Sequence, residues 1–298
     1  VIAMRWHIAL LYFLIRSCGR LPLRMLHRLG AGLGWIFWVA HSKERRIAGR
    51  NLELAFPELD EAQHAALLRC TLAETGKSFL EVTKVWSGDA HAALGLIREV
   101  RGVEFYDAAL AAKRGLIIAA PHLGCWELLN FYLCSRAPIA VAYRPPRQAD
   151  LEPLLLKARG ALQAEQVRAA GAGVRTLYKR LSAGGVVGIL PDQEPKQGDG
   201  EFAPFFGVRA LTMVLVSRLA QRTGAAVLFS FAERLPQGAG YRLHFVPALA
   251  AIADQDLNAA AVALNQGVET CVRIAPAQYQ WHYKRFSARP PDDPQRFY

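Results

Sequence analysis

From Gly115 onward the chain alternates short unbroken apolar runs with stretches of helical character. "GLIIAA" precedes "GCWELLNFYLCSR", and "IAVAYR" precedes "DLEPLLLKARGALQAEQ". "VRTLYKRLSAGG" leads into "VVGIL", "LTMVLVSRLAQRTG" into "AAVLFSFAER", and "GYRLHFVPAL" closes the series. A strand with no polar side must be buried on both faces. Such strands alternating with helices imply an α/β fold built on a largely parallel sheet flanked by helices. In sheets of this kind ligands bind beyond the carboxyl ends of the strands.

The segments before the series are helical. In "NLELAFPELDEAQHAALLRCTLAETGKSFLEVTKVW", Leu67, Cys70, Thr71, Glu74 and Ser78 fall on a 3–4 spacing, and Pro57 with Asp60 marks a start. "REVRGVEFYDAALAAKRG" reads as strand, turn and helix, closed by Gly115. No internal repeat, low-complexity tract or linker divides the body. The expected organisation is a helical, membrane-associating segment over residues 1–40, one α/β domain over 41–289, and a Pro-rich tail over 290–298, frayed or draped on the surface.

The N-terminal block Trp6 to Ile15 would be roughly 15 Å long as a helix, about half a hydrocarbon core. Arg16 to Arg20 follow it where a signal peptide would carry small residues, so cleavage is not expected. Arg16, Arg20, Arg24 and Arg28 then recur every four residues beside leucines and "GWIFWVA". That composition fits a helix lying among lipid headgroups on the cytoplasmic side. A core-packing helix with a solvated basic face has the same pattern.

The 298 residues carry a formal charge of +11, which calls for an anionic partner: a phosphate-bearing surface, an acidic carrier protein or nucleic acid. Hydrophobic residues make up 52%, yet no window offers ~20 uninterrupted apolar residues for a full membrane span. Five scattered cysteines, without C-x-x-C or paired-His spacing, argue against zinc and against a disulfide framework.

The candidate chemistry lies in "APHLGCWELL". Pro121 cannot continue a ladder and Gly124 permits a tight turn, so His122 falls between strand and helix. Within one helix His122 and Glu127 would stand ~140° apart. With His122 outside the helix they can meet, the carboxylate fixing the ring tautomer while the other nitrogen takes a proton. That is a Ser-His-Asp triad without its serine, the nucleophile being a substrate hydroxyl. A Cys125 nucleophile and a structural histidine are the competing readings.

Other polar groups collect at the same edge. Arg144 and Arg147 end one strand, Arg159 sits on the next helix, and Asp192 with Gln193 ends another strand. "GEFAPFFGVRALT" adds an apolar loop with Phe202, Phe205 and Phe206. Trp126, Phe131, Phe205 and Phe206 are the candidates for closing an apolar pocket there.

"APHLGCWELL", "YRPPR", "KARG", "PDQEP", "FAPFFGVRALT" and "QYQWHYKRF", in that order, resemble the lipid A biosynthesis acyltransferases, late acyltransferases of the lysophospholipid acyltransferase superfamily. The resemblance runs from the N-terminus to about Arg289. It implies a glycerolipid acyltransferase-like fold on the cytoplasmic face of a bacterial inner membrane. It implies transfer of an acyl chain from acyl carrier protein to the hydroxyl of a 3-hydroxyacyl chain on a lipid A precursor. By the same resemblance His122 is the general base and Glu127 its orienting partner, while Arg159 and Asp192 match polar positions beside the active site. Arg144 falls in the block that binds the phosphorylated glycolipid. The wider superfamily usually has Asp where Glu127 stands, and often Asn where Pro121 stands; Glu is common in the lipid A branch.

A thioester is already activated, so the reading requires no metal, no cofactor and no covalent acyl-enzyme. The helix N-terminus near Gly124 is a candidate donor to the thioester oxyanion. Acceptors such as a lysophospholipid, an ornithine lipid or a mannosylated glycolipid fit the motifs almost as well. A basic peripheral membrane protein without chemistry is the non-enzymatic alternative, and no nucleic-acid motif is present.

Overall fold

The computed structural model describes Phe13 and residues 15–87, 90–143, 164–169, 171–196 and 198–298. Helices α1 (Leu23–Val39), α2 (Lys43–Ala55), α3 (Glu61–Ser87) and α4 (Ala90–Leu94) precede the sheet. Then come β1 (Ile97–Arg101), α5 (Val103–Ala111), β2 (Leu116–Ala119), α6 (Trp126–Arg136), β3 (Ile139–Tyr143) and β4 (Glu165–Arg168). The second half holds α7 (Ala172–Ser182), β5 (Val186–Ile189), β6 (Gly200–Phe205), β7 (Val208–Met213), α8 (Leu215–Thr223), β8 (Ala226–Arg234), β9 (Tyr241–Pro247) and α9 (Leu257–Ile274).

Seven strands form one sheet in the order β1-β9-β8-β2-β5-β3-β4. Every neighbouring pair is parallel except β8–β9, which a tight turn at Pro236–Gly238 joins without a crossover helix. Strands β2, β3 and β5 are buried along their whole length, which is why their sequences show no alternation. One face packs on Leu52 of α2, Leu177 of α7, Val216 of α8 and Leu264 of α9. The other packs on Tyr106 of α5 and Leu128 of α6.

The stretch expected to be an apolar loop is instead an antiparallel hairpin, β6 with β7, outside the main sheet. Its two-residue turn is Phe206–Gly207, both at positive φ (47° and 78°), as the twist of a tight hairpin requires. Ala203 and Phe205 point to the core while Pro204 faces solvent.

Most of the Trp6–Ile15 block lies outside the described residues. Helix α1 crosses α3 on glycine: a Cβ at Gly76 would stand 2.0 Å from the Gly30 carbonyl oxygen, and one at Gly34 2.3 Å from that of Leu72. The two backbones therefore touch. Opposite this seam, Met25, Leu29, Trp35 and Ile36 are about half exposed or more, as is Phe79 of α3, and Arg24 and Arg28 are exposed beside them. The helix is thus packed on one face and apolar on a solvent-facing one. Among the described residues no helix is long and apolar enough to cross a membrane. The C-terminal tail drapes back, with Phe297 edge-on to Phe286 and the Tyr298 hydroxyl on Asn51.

Candidate active site

Strand β2 is central, with β5 on one side and β8 on the other, and its carboxyl end runs into Pro121 and His122. The turn that follows is fixed by backbone bonds. Cys125 N–H donates to the Ala232 carbonyl (2.9 Å), Gly124 N–H to Gln278 (3.2 Å), and Gln280 N–H to His122 (3.0 Å). Gly124 has φ +64°, and a Cβ there would stand 1.9 Å from the Ala232 oxygen, so glycine alone fits. Cys125 caps α6, and the helix begins at Trp126.

Asp192 follows β5 and reaches His122 twice. One oxygen accepts the His122 backbone N–H at 2.9 Å, and the other lies 2.8 Å from the ring Nδ1. Asp192 is 3% exposed. Burial pushes its carboxyl up, but the His122 charge and both hydrogen bonds outweigh that and hold it below the ordinary value. Beside an ionised Asp192 the neutral imidazole is the tautomer with its proton on Nδ1 and its lone pair on Nε2. Nε2 lies 3.3 Å from the Gln193 amide nitrogen, which also donates to Gln280 (3.1 Å).

On the other flank, Arg234 at the end of β8 is 4% exposed. Its Nη2 donates to the Gly124 carbonyl (2.9 Å), to Ser78 (2.5 Å) and to Glu81 (2.7 Å), and its Nε to Glu81 (2.7 Å). Glu74 accepts from Nη1 at 3.2 Å. Glu81 also accepts from the Tyr241 hydroxyl (2.8 Å) and lies 3.3 Å from His27 Nε2 of α1. Burial raises the Glu81 pKa, yet Arg234 and His27 win and lower it to about 2. The His122 turn is therefore tied through one buried guanidinium to α3, and through Glu81 to α1.

Two clefts meet at the His122 ring. A narrow one of about 140 Å³ lies against α3 and is bordered by Thr75, Phe79, Glu81, Trp126 and Glu127. A large one of about 1350 Å³ lies toward β5 and β3, with Val141, Ile189, Leu190 and Leu219 among its apolar walls. An imidazole at the junction of two mostly apolar clefts suits transfer of a hydrocarbon-bearing group to a hydroxyl.

The family model for bacterial lipid A biosynthesis acyltransferases matches residues 2–288. The chain belongs to that family. It is 29% identical over 281 residues to the lipid A biosynthesis lauroyltransferase of Escherichia coli K12, covering 93% of this chain and 90% of that one. It is 26% identical to the palmitoleoyltransferase of the same strain, over 91% and 88% of the two chains. A phosphatidylinositol mannoside acyltransferase of Mycobacterium tuberculosis H37Rv matches at 30% over 162 residues, about half of each chain. The protein is thus an acyltransferase of lipid A biosynthesis, as the ordered motifs implied.

In this acyltransferase the carboxylate that meets the His122 ring Nδ1 is Asp192, at the end of the neighbouring strand. Parallel pairing of β2 with β5 sets the two strand ends side by side, a juxtaposition that local spacing does not encode. Asp192, expected among the substrate-binding residues, is accordingly engaged with His122. Glu127 is 1% exposed in the first turn of α6 and borders the narrow cleft with the ring. Arg144, Arg147 and Arg159 lie outside the described residues.

Of the acyl-pocket candidates, Trp126 borders both clefts, 6.2 Å edge-on from the imidazole. Phe131 is buried in the core beneath α6. Phe205 and Phe206 meet edge to face, with Phe56 and Trp281 around Phe206, in the opposite core. All three fill the interior: Phe131 and Phe205 from inward positions of α6 and β6, Phe206 from the hairpin turn. Burial raises the Cys125 thiol well above its ordinary pKa, the opposite of what a nucleophilic thiolate needs. Among the described residues no group of three or more His, Cys, Asp or Glu could hold a metal.

Sequence reasoning missed Glu81 and Arg234. A signal was present: Glu74, Ser78 and Glu81 continue the inward stripe of α3, where acids need a buried cation.

Proposed function

We propose that the enzyme moves a fatty acyl chain from acyl carrier protein to the hydroxyl of a 3-hydroxyacyl chain on a phosphorylated lipid A precursor, with His122 as general base. The observation that carries this reading is the Asp192–His122 pair at the junction of the two clefts. Nε2 takes the hydroxyl proton as the oxygen attacks the thioester carbonyl. The tetrahedral intermediate collapses, the carbon–sulfur bond breaks, and the imidazolium returns its proton to the departing thiolate. Asp192 holds the tautomer and stabilises the imidazolium between these steps. The first turn of α6, starting at Trp126, is the candidate donor to the oxyanion, since its first backbone N–H groups lie beyond the helical ladder. Glu127 is the second acid of the reaction centre, and Arg144 and Arg159 belong with the phosphorylated acceptor.

The half-exposed apolar face of α1 and Phe79, with Arg24 and Arg28 beside it, supports seating on the cytoplasmic face of the inner membrane. The half-length match to a phosphatidylinositol mannoside acyltransferase favours one second reading, in which another membrane glycolipid is the acceptor. The test is acyl transfer in detergent from a panel of acyl carrier thioesters to a Kdo-bearing tetraacylated lipid A precursor, with products read by mass spectrometry. Wild type adds an acyl chain, and His122→Ala and Glu127→Ala lose that addition. Transfer surviving in His122→Ala would sink the mechanism, and an inactive, membrane-competent wild type would move the acceptor to another glycolipid.

A further inference from the structure

The two clefts at His122 differ in what surrounds them. The narrow one includes Phe79, which belongs to the exposed apolar surface of α1 and α3. No described residue of α1 or α3 borders the large one. Its rim carries Arg175 and Lys179 of α7, Arg218 and Arg222 of α8, and Lys196 from the loop after β5. All five are exposed, and among the described residues none of them has an ion-pair partner. Asp199 is the one carboxylate among the described residues bordering this cavity.

The cations are ordered. Arg175 with Lys179, and Arg218 with Arg222, stand four residues apart, so each pair shares one helix face. Helices α7 and α8 are in contact, so the two basic faces border one groove. Like charges so gathered repel one another and disfavour the compact state, a cost that an anionic partner would relieve. A membrane-held glycolipid reaches the enzyme on the side of α1 and Phe79. The basic rim therefore suits an acidic partner arriving from water.

We propose that this rim is the docking surface for the acidic acyl carrier, whose phosphopantetheine arm carries the thioester into the apolar cavity while the acceptor hydroxyl reaches His122 from the α3 side. The proposal rests on the carrier-dependent reading of the reaction. Opposed entries would let both substrates lie on the imidazole at once.

The test is steady-state kinetics in detergent for wild type and a Lys179→Glu/Arg218→Glu/Arg222→Glu triple variant, varying carrier thioester and lipid acceptor in turn. The KM for carrier thioester should rise about tenfold or more, with the acceptor KM within about twofold and the salt dependence of carrier binding flattened. Arg222→Glu alone should give a smaller shift of the same sign, which keeps the test decisive should the triple variant misfold. Arg98→Glu, exposed on the edge strand β1 and away from this cavity, is the control for net charge and should leave the carrier KM in place. A rise in acceptor KM instead would assign the rim to the glycolipid phosphates and overturn the proposal, as would an unchanged carrier KM. Wild type that uses acyl-CoA but not the carrier thioester would overturn the carrier reading itself, before any variant is made.

Discussion

Arg234 grips Glu81 with two nitrogens, Nε on one carboxylate oxygen and Nη2 on the other, each at 2.7 Å. Neither residue is more than 4% exposed. The geometry is the fork-on-fork pairing that makes Arg–carboxylate contacts directional, and Nη2 extends it to the Gly124 carbonyl. Arg234 is thus a positioning residue for the His122 turn.

Removing one partner leaves a buried charge. Arg234→Met or Glu81→Leu alone should cost about 3–5 kcal/mol, whereas the double replacement should recover much of the loss. Denaturant titration of the two singles and the double checks this. Equal destabilisation in all three would show that the pair is not coupled.

The same pair sets an acid limit. The Glu81 carboxyl titrates at about 2 in the folded protein against an ordinary value of 4.5. A depressed pKa stabilises the fold above the unfolded value and loses that contribution as pH falls through the folded one. Stability should therefore decline between about pH 4.5 and 2, more steeply in wild type than in Glu81→Gln. Melting temperatures across that range, compared between the two proteins, decide it.

Asp192→Asn keeps the shape but removes the charge that holds the proton on Nδ1. The expected result is a fall in kcat of about 10²–10⁴-fold with little change in KM for either substrate. A rise in KM with unchanged kcat would place Asp192 in substrate binding instead.

Gly124→Ala puts a methyl group 1.9 Å from the Ala232 oxygen at a φ of +64°. The turn must shift, so both the melting temperature and kcat should drop, with a stability cost above the roughly 1 kcal/mol of a strain-limited glycine replacement. Gly207→Ala, also at positive φ but with nothing within 4 Å of the added Cβ, should lower stability and spare kcat.

Trp35→Ser with Ile36→Ser reduces the exposed apolar face of α1. At ~25 cal/mol per Å² of apolar area, even partial burial of these two side chains makes partition onto anionic vesicles weaken by at least about tenfold. Flotation with wild type alongside measures it, and unchanged partition would assign membrane contact elsewhere.

Much of the sheet was legible because Leu116–Ala119 and Val186–Ile189 are apolar on both sides, and their alternation with helices fits a covered parallel sheet. The β6–β7 hairpin was not, since Pro204 interrupts its run and Phe206, rather than a glycine or asparagine, takes the first left-handed turn position. His122 could be found from its Pro and Gly punctuation. Its partner Asp192 lies 70 residues on, and Arg234 lies 153 residues from Glu81. Those contacts are consequences of strand order, which no local spacing records.

The glycine contact between α1 and α3 has one more consequence. With Gly30, Gly34 and Gly76 backbone to backbone, α1 can neither roll nor slide without collision, and His27 ties the same helix to the carboxylate that holds the His122 turn through Arg234. The offset between the outer surface of α1 and the His122 ring is therefore a fixed dimension of the molecule. On the proposed seating of α1 and the proposed role of His122, that offset is a depth gauge: hydroxyls at one height above the plane come level with the ring, and those buried deeper or standing higher do not.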